Sequence, residues 1–144
     1  MPAGGGGLIS GVALAAHGID PGITVYGVQS EASPALHAAR KANQRVEVDV
    51  KDSLADGLSG NVESGSITFE VIQQHVEDIA LVSEPDIAQA MRQLLEHEHL
   101  LVEGSAAVGP AALQRGLQRE RPTVVVLTGR NVASSVLRQY VLDH

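Results

Sequence analysis

Two valine-rich runs constrain the fold of this chain more than anything else in it. Thr123–Leu127 reads TVVVL and Ile23–Val28 reads ITVYGV, continuous rather than alternating in polarity. A strand with no polar face must be covered on both sides. Such runs, separated by helix-period segments, predict an α/β fold: a parallel sheet between two layers of helices. Two further strands are expected at Ile79–Val82 and at Arg45–Val50, where Val46, Val48 and Val50 alternate. Helices are expected over Leu8–His17, from Ser33-Pro34 to Ala42, and through Val76 with Ser66 or Thr68 as cap. Another starts at Ser83-Glu84-Pro85-Asp86, an acid three residues after a serine, and buries Ile87, Met91, Leu94 and Leu95. A small-residue helix follows over Ser105–Gly116. A C-terminal helix follows Asn131, with Val132, Val136 and Tyr140 four apart. The glycine-containing stretch Ser53–Ser66 reads as irregular.

The 144 residues suffice for one domain and not comfortably for two. Ten basic and seventeen acidic side chains give a net charge of −7, which repels nucleic-acid backbones and anionic lipid. Only Tyr26, Phe69 and Tyr140 are aromatic, so base-stacking platforms are not expected. The absence of cysteine excludes disulfides, thiolate metal sites and cysteine nucleophiles. No run is long and apolar enough for a membrane span, and the N-terminus lacks the pattern of a secretory signal, so a cytoplasmic location is expected.

Gly4–Gly7 lead directly into the first helix. Four residues without side chains leave backbone amides open, and a loop feeding a helix N-terminus suits a phosphate. The dinucleotide fingerprint fails, because Ile9 or Ser10 falls where its last glycine belongs. The Walker pattern fails too, since neither Lys41 nor Lys51 follows a glycine. The plain alternative is a flexible linker.

Six segments in one order carry a resemblance: GGGGLISGVALA, VYGVQSEASPAL, LADGLSGN, ITFEVI, VEGSAAV and VVVLTGRN. Together they resemble the C-terminal half of the fold-type II pyridoxal-phosphate enzymes, namely the threonine/serine dehydratases (threonine ammonia-lyases) and serine racemases. The resemblance implies a three-layer, tryptophan synthase β-like large domain, incomplete at its N-terminal side. It implies pyridoxal 5'-phosphate as cofactor and deamination of L-threonine or L-serine to a 2-oxo acid and ammonia. Gly4, Gly5, Gly6, Gly7 and Leu8 would hold the phosphate, and Thr128, in a TGRN segment closed by Asn131, would meet the pyridine nitrogen. Asp56, Gly57 and Glu103 would lie beside the ring. Each has a plainer reading as well: a turn or capping hydroxyl for Thr128, a simple turn for Asp56-Gly57, a helix-start charge for Glu103.

The family's Schiff-base lysine has no counterpart here. Lys41 and Lys51 are the only lysines, and neither sits in the family's Ser-Phe-Lys setting. The chain therefore reads as a fragment, as one chain of a split enzyme, or as a noncatalytic cofactor-binding remnant. A small amino-acid substrate, and a homo-oligomer or a complementary N-terminal half as partner, are expected, together with a short form lacking an allosteric extension. No metal site is expected: only Glu31 is acidic near Gln29, Ser33 and Ala35, and His97 and His99 are two apart on a helix. His17, His37, His75 and His144 show no ligand spacing.

Overall fold

The computed structural model describes residues 1–117 and 122–143. Strands β1 (Tyr26–Ser30) and β2 (Asp78–Val82) pair in parallel, from Tyr26 opposite Asp78 to Ser30 opposite Val82. The N-terminal segment joins β1 on its other edge. Ala3 N donates to Val28 O at 3.0 Å, and Val28 N donates to Met1 O at 2.9 Å. Helices α1 (Gly7–Ile19), α2 (Ala35–Ala42) and α3 (Thr68–His75) contribute Ile9, Ala13, Leu36 and Ile72 to a core with Ile79 of β2. Helices α4 (Glu84–Glu98) and α5 (Gly104–Gln114) form a second core with Val28 and Val82. Ile79 and Val82 lie three apart on one strand and so point to opposite faces. The result is the expected layering, helices on both faces of a parallel sheet.

Small residues set the spacing of these layers. A Cβ on Gly27 would run into Ile79 of the neighbouring strand, and would lie 3.0 Å from Ile9 Cδ1 of α1. Along α5, Ala106, Ala107, Val108, Ala111 and Ala112 are all buried, which lets α4 and α5 approach closely. Helix α4 opens with the reciprocal cap read from its sequence: Asp86 N donates to Ser83 Oγ at 3.3 Å and Ser83 N to Asp86 Oδ2 at 3.2 Å. Ile87 and Met91 are buried, while Leu94 and Leu95 are half-buried at the edge of the core.

Four expectations are corrected. Arg45–Val50 is not a strand. No neighbouring strand pairs with it; the Asn61 side chain takes that place, accepting from Val48 N at 2.9 Å and donating to Val48 O at 3.2 Å. Thr123–Leu127 is likewise outside any sheet among the described residues. Its composition favours a strand, yet no strand lies beside it, and Val124 is 89% exposed. Neither Ser66 nor Thr68 caps α3, which starts at Thr68 after Ile67; the two hydroxyls bond each other at 2.7 Å. The C-terminal helix is shorter than expected: α6 (Ser134–Leu137) passes into a wide π turn over Arg138–Leu142. His144 lies outside the described residues.

The Ser83 hydroxyl bonded to Asp86 holds that carboxyl below the ordinary aspartate value of 3.8. A depressed carboxyl contributes stability at neutral pH that is lost as the pH falls through its folded value. Ser83→Ala is expected to cost about 1 kcal/mol in urea unfolding at pH 7. The gap to the parent chain should narrow once the pH drops below 3.8.

Candidate functional site

The tetraglycine segment turns the chain from the edge of β1 into α1. Gly6 occupies the position before the helix with φ 91°, a left-handed conformation that favours glycine. A Cβ there would also sit 2.8 Å from both Ile72 Cδ1 and Thr68 Oγ1 of α3. Thr68 Oγ1 donates to Gly5 O at 3.0 Å, which ties the loop to α3. Cβ atoms added to Gly5 or Gly7 would meet nothing within 4 Å. The first helical bond inside α1 runs from Ser10 N to Gly6 O, so the amides of Gly7, Leu8 and Ile9 have no partner within the helix. These donors and the positive end of the helix dipole make a seat for an anion.

The opposite wall is held by two glutamates. Glu84 Oε1 accepts from Ser30 Oγ at 2.5 Å and from Ser53 Oγ at 2.7 Å, and its Oε2 accepts from Leu54 N at 2.6 Å. This fastens the segment before the tight turn Asp56–Leu58 to the carboxyl end of β1. Leu54 packs against Gly104, where any Cβ would collide with its carbonyl. Glu103, which precedes α5, donates its N–H to Gly129 O at 3.1 Å and accepts from Asn131 N at 2.9 Å through Oε2. That contact brings the loop after Thr123–Leu127 to the cavity.

These elements enclose a cavity of about 290 Å³ whose lining includes Gly4, Gly5, Gly6, Gly7, Leu8, Gly57, Glu103 and Thr128. Eight of the ten site residues expected from sequence thus share one space. Asp56 and Asn131 are not part of its wall. Asp56 is exposed and accepts from Gly57 N at 2.8 Å, the plain turn reading. Asn131 meets the site through the backbone amide that Glu103 accepts. Arg130 is exposed and away from the wall. Sequence reasoning missed Ser105, which is 3% exposed, lines the same cavity, and has a hydroxyl without a hydrogen-bond partner. It stands within the VEGSAAV segment itself, two residues after Glu103; only its burial marks it. Lys41, at the end of α2, and Lys51, beyond the 45–50 segment, are both exposed and line no part of this cavity.

His17 and His75, which had no telling spacing, meet between α1 and α3 with Nδ1 atoms 3.0 Å apart. His17 Nε2 also donates to Ile23 O at 2.8 Å. His97 and His99 do not share a helix face, since His99 adopts a left-handed conformation past the end of α4. No helix among the described residues is long and apolar enough to cross a membrane.

The chain is similar to known proteins. An L-threonine ammonia-lyase of Thermotoga maritima is 34% identical over 142 residues, covering 98% of this chain and 35% of that protein. One from Geobacter sulfurreducens is 40% identical over 134 residues, covering 92% of this chain and 33% of its own length. The solved structure of maize serine racemase superposes with a TM-score of 0.85 at 30% identity, over 96% of this chain and 44% of that one. The chain therefore spans between a third and a half of the length of these relatives. The family model described as "Pyridoxal-phosphate dependent enzyme" matches residues 1–129, and the chain belongs to that family.

Proposed function

We propose that this chain is the phosphate- and pyridine-binding part of a pyridoxal-phosphate-dependent lyase that deaminates L-threonine or L-serine to a 2-oxo acid and ammonia. One observation carries the reading: the open amides of α1, the Thr128 segment and the partnerless hydroxyl of Ser105 line a single cavity. The residues fit the cofactor. Cβ atoms on Gly5 and Gly7 would enter open space, which leaves room for a phosphate against the backbone. The buried Ser105 hydroxyl needs a polar partner that no described residue provides.

Bound there, pyridoxal phosphate supplies an electron sink for charge developing on the α-carbon of an amino acid. The chain's own residues bind and orient it. The amides of Gly7, Leu8 and Ile9 hold the phosphate, and Gly6 keeps the loop in the required turn. Thr128 presents a hydroxyl to the pyridine nitrogen. A hydroxyl, unlike a carboxylate, leaves that nitrogen largely unprotonated, which suits β-elimination of a hydroxyl group. By donating amides to the phosphate, the glycine loop would also influence the protonation of that group.

The proton on the α-carbon requires a base; no lysine lines this cavity among the described residues, and its one carboxylate, Glu103, is bonded to Asn131 N. Lys41 and Lys51 are remote from it, so a lysine from a complementary N-terminal half completes the reaction. The same observation favours a second reading, a noncatalytic cofactor-binding remnant or assembly subunit. Leu14, Ile19 and Val124 are exposed at 48%, 84% and 89%, and a homo-oligomer or the complementary half would cover them. We expect Ile19→Glu to lower self-association in light scattering at unchanged secondary structure. A chain that is monomeric before the change would remove the homo-oligomer from this proposal.

Absorbance titration with pyridoxal phosphate, followed by borohydride reduction and intact mass, tests the main reading. Saturable binding without a reduced adduct is expected. Absence of saturable binding defeats the reading, and an adduct on Lys41 or Lys51 would make the chain self-sufficient. Two glycine variants separate binding from folding. Gly5→Val should leave the unfolding free energy within about 0.5 kcal/mol and weaken binding by about tenfold or more, the scale of one charge-assisted hydrogen bond. Gly6→Ala should destabilise by about 1–2 kcal/mol or more, because a left-handed residue gains a Cβ.

A further inference from the structure

Thr128 follows a run that no strand supports among the described residues, yet it arrives at the cavity wall. Three observations converge on the residue that brings it there. Glu103 N donates to Gly129 O at 3.1 Å. Glu103 Oε2 accepts from Asn131 N at 2.9 Å. The Glu103 carboxylate lies flat against Gly129: a Cβ at that glycine would sit 2.6 Å from Oε1, 2.7 Å from Cδ and 2.8 Å from Oε2. One residue thus grips both ends of the 129–131 turn, with its backbone at one end and its carboxylate at the other.

We propose that Glu103 is a positioning residue for Thr128: its carboxylate fixes the Gly129–Asn131 turn and thereby aims the Thr128 hydroxyl. The glutamate precedes α5, whose following residues are buried in the core from Gly104 to Gly109. The clamp is therefore anchored to the most deeply packed helix of the chain. In the 123–127 segment, Val125 rests against α5: its Cγ1 would lie 2.9 Å from a Cβ on Gly109. Gly129 is glycine because the carboxylate occupies the place of its side chain. A carboxylate accepting a backbone N–H makes a charge-assisted bond, stronger than a neutral one and short enough to fix a turn. The clamp stands on this geometry alone; its consequence for the cofactor rests on the function proposed above.

Amide hydrogen exchange of the full chain, read residue by residue by NMR, tests it without any cofactor. In Glu103→Ala the Asn131 amide should exchange about tenfold faster or more, the scale of losing a hydrogen bond to a charged group. Glu103→Gln keeps an acceptor oxygen at the same reach and should restore most of the protection. The Ser10 amide, bonded to Gly6 O at 3.0 Å in α1, should not change in either variant and reports that the fold is intact. Gly129→Ala, which displaces the carboxylate, should reproduce the Glu103→Ala effect and serves as the deciding variant if Glu103→Ala does not fold. An unchanged Asn131 amide in either alanine variant overturns the clamp, as does a Gln variant no better than Ala. A second readout follows the consequence: Glu103→Ala should weaken pyridoxal phosphate about tenfold while inorganic phosphate, which needs only the glycine loop, binds as before. If the parent chain binds neither anion, the proposed function fails while the exchange result still decides the clamp. Equal weakening of both anions would show that Glu103 acts on the whole site and not on Thr128.

Discussion

The site depends on a reversal of the backbone that only glycine accommodates. Residues 1–3 run beside β1, and by Gly7 the chain is already helical. In between, Gly6 takes a left-handed conformation, and Ile72 and Thr68 fill the space that a Cβ would need. These constraints also explain why α3 packs where it does. Thr68 closes the loop by donating to Gly5 O, Ser10 Oγ bonds Thr68 O at 3.4 Å, and His17 meets His75 at the far end of the same helix pair. The loop is thus one end of a clasp between two helices, and the direction of its amides is fixed by packing.

Local pattern revealed the glycine loop, the cap of α4 and the cavity glycines, because each is written in consecutive residues. Periodicity located most helices, and apolar runs located the two strands that pair, although β1 starts at Tyr26 rather than Ile23. It failed where a strand-like run has no strand beside it. Val46, Val48 and Val50 alternate as a strand should, but the backbone of Val48 bonds the side chain of Asn61 instead of a strand. TVVVL has the composition of a buried strand and an exposure that contradicts it. Strand formation is a property of pairs, so one run cannot carry it alone.

The site was legible to a similar degree and for the same reason. Gly4–Gly7, Leu8, Gly57, Glu103 and Thr128 come together as the resemblance implied, and Asp56 and Asn131 do not line the space. Ser105 was overlooked because a serine at the start of a small-residue helix looks like any other; its role emerges only from burial and the lack of a partner. The His17–His75 contact joins residues 58 apart, a separation that no periodic pattern reports.

The cavity's charge distribution shows how such a site selects its ligand. No lysine or arginine lines it among the described residues, and its one ionisable carboxylate is committed to the 129–131 turn. With a net charge of −7, the chain as a whole does not attract anions from a distance. Binding must come from short, directed contacts: amides at a helix end, and hydroxyls at the far wall. Such contacts reward the spacing between a phosphate and a ring nitrogen rather than charge alone. A free phosphate satisfies one end of the cavity and leaves the hydroxyl of Ser105 without a partner. Under the proposed function, a ligand that carries a phosphate and polar groups on one rigid ring would meet both ends at once, and the second contact would come at little further entropic cost. The glycine loop, Gly57, Ser105 and the Glu103-held turn thus line one cavity, although 50 positions separate Gly7 from Gly57 and 48 separate Gly57 from Ser105 in sequence.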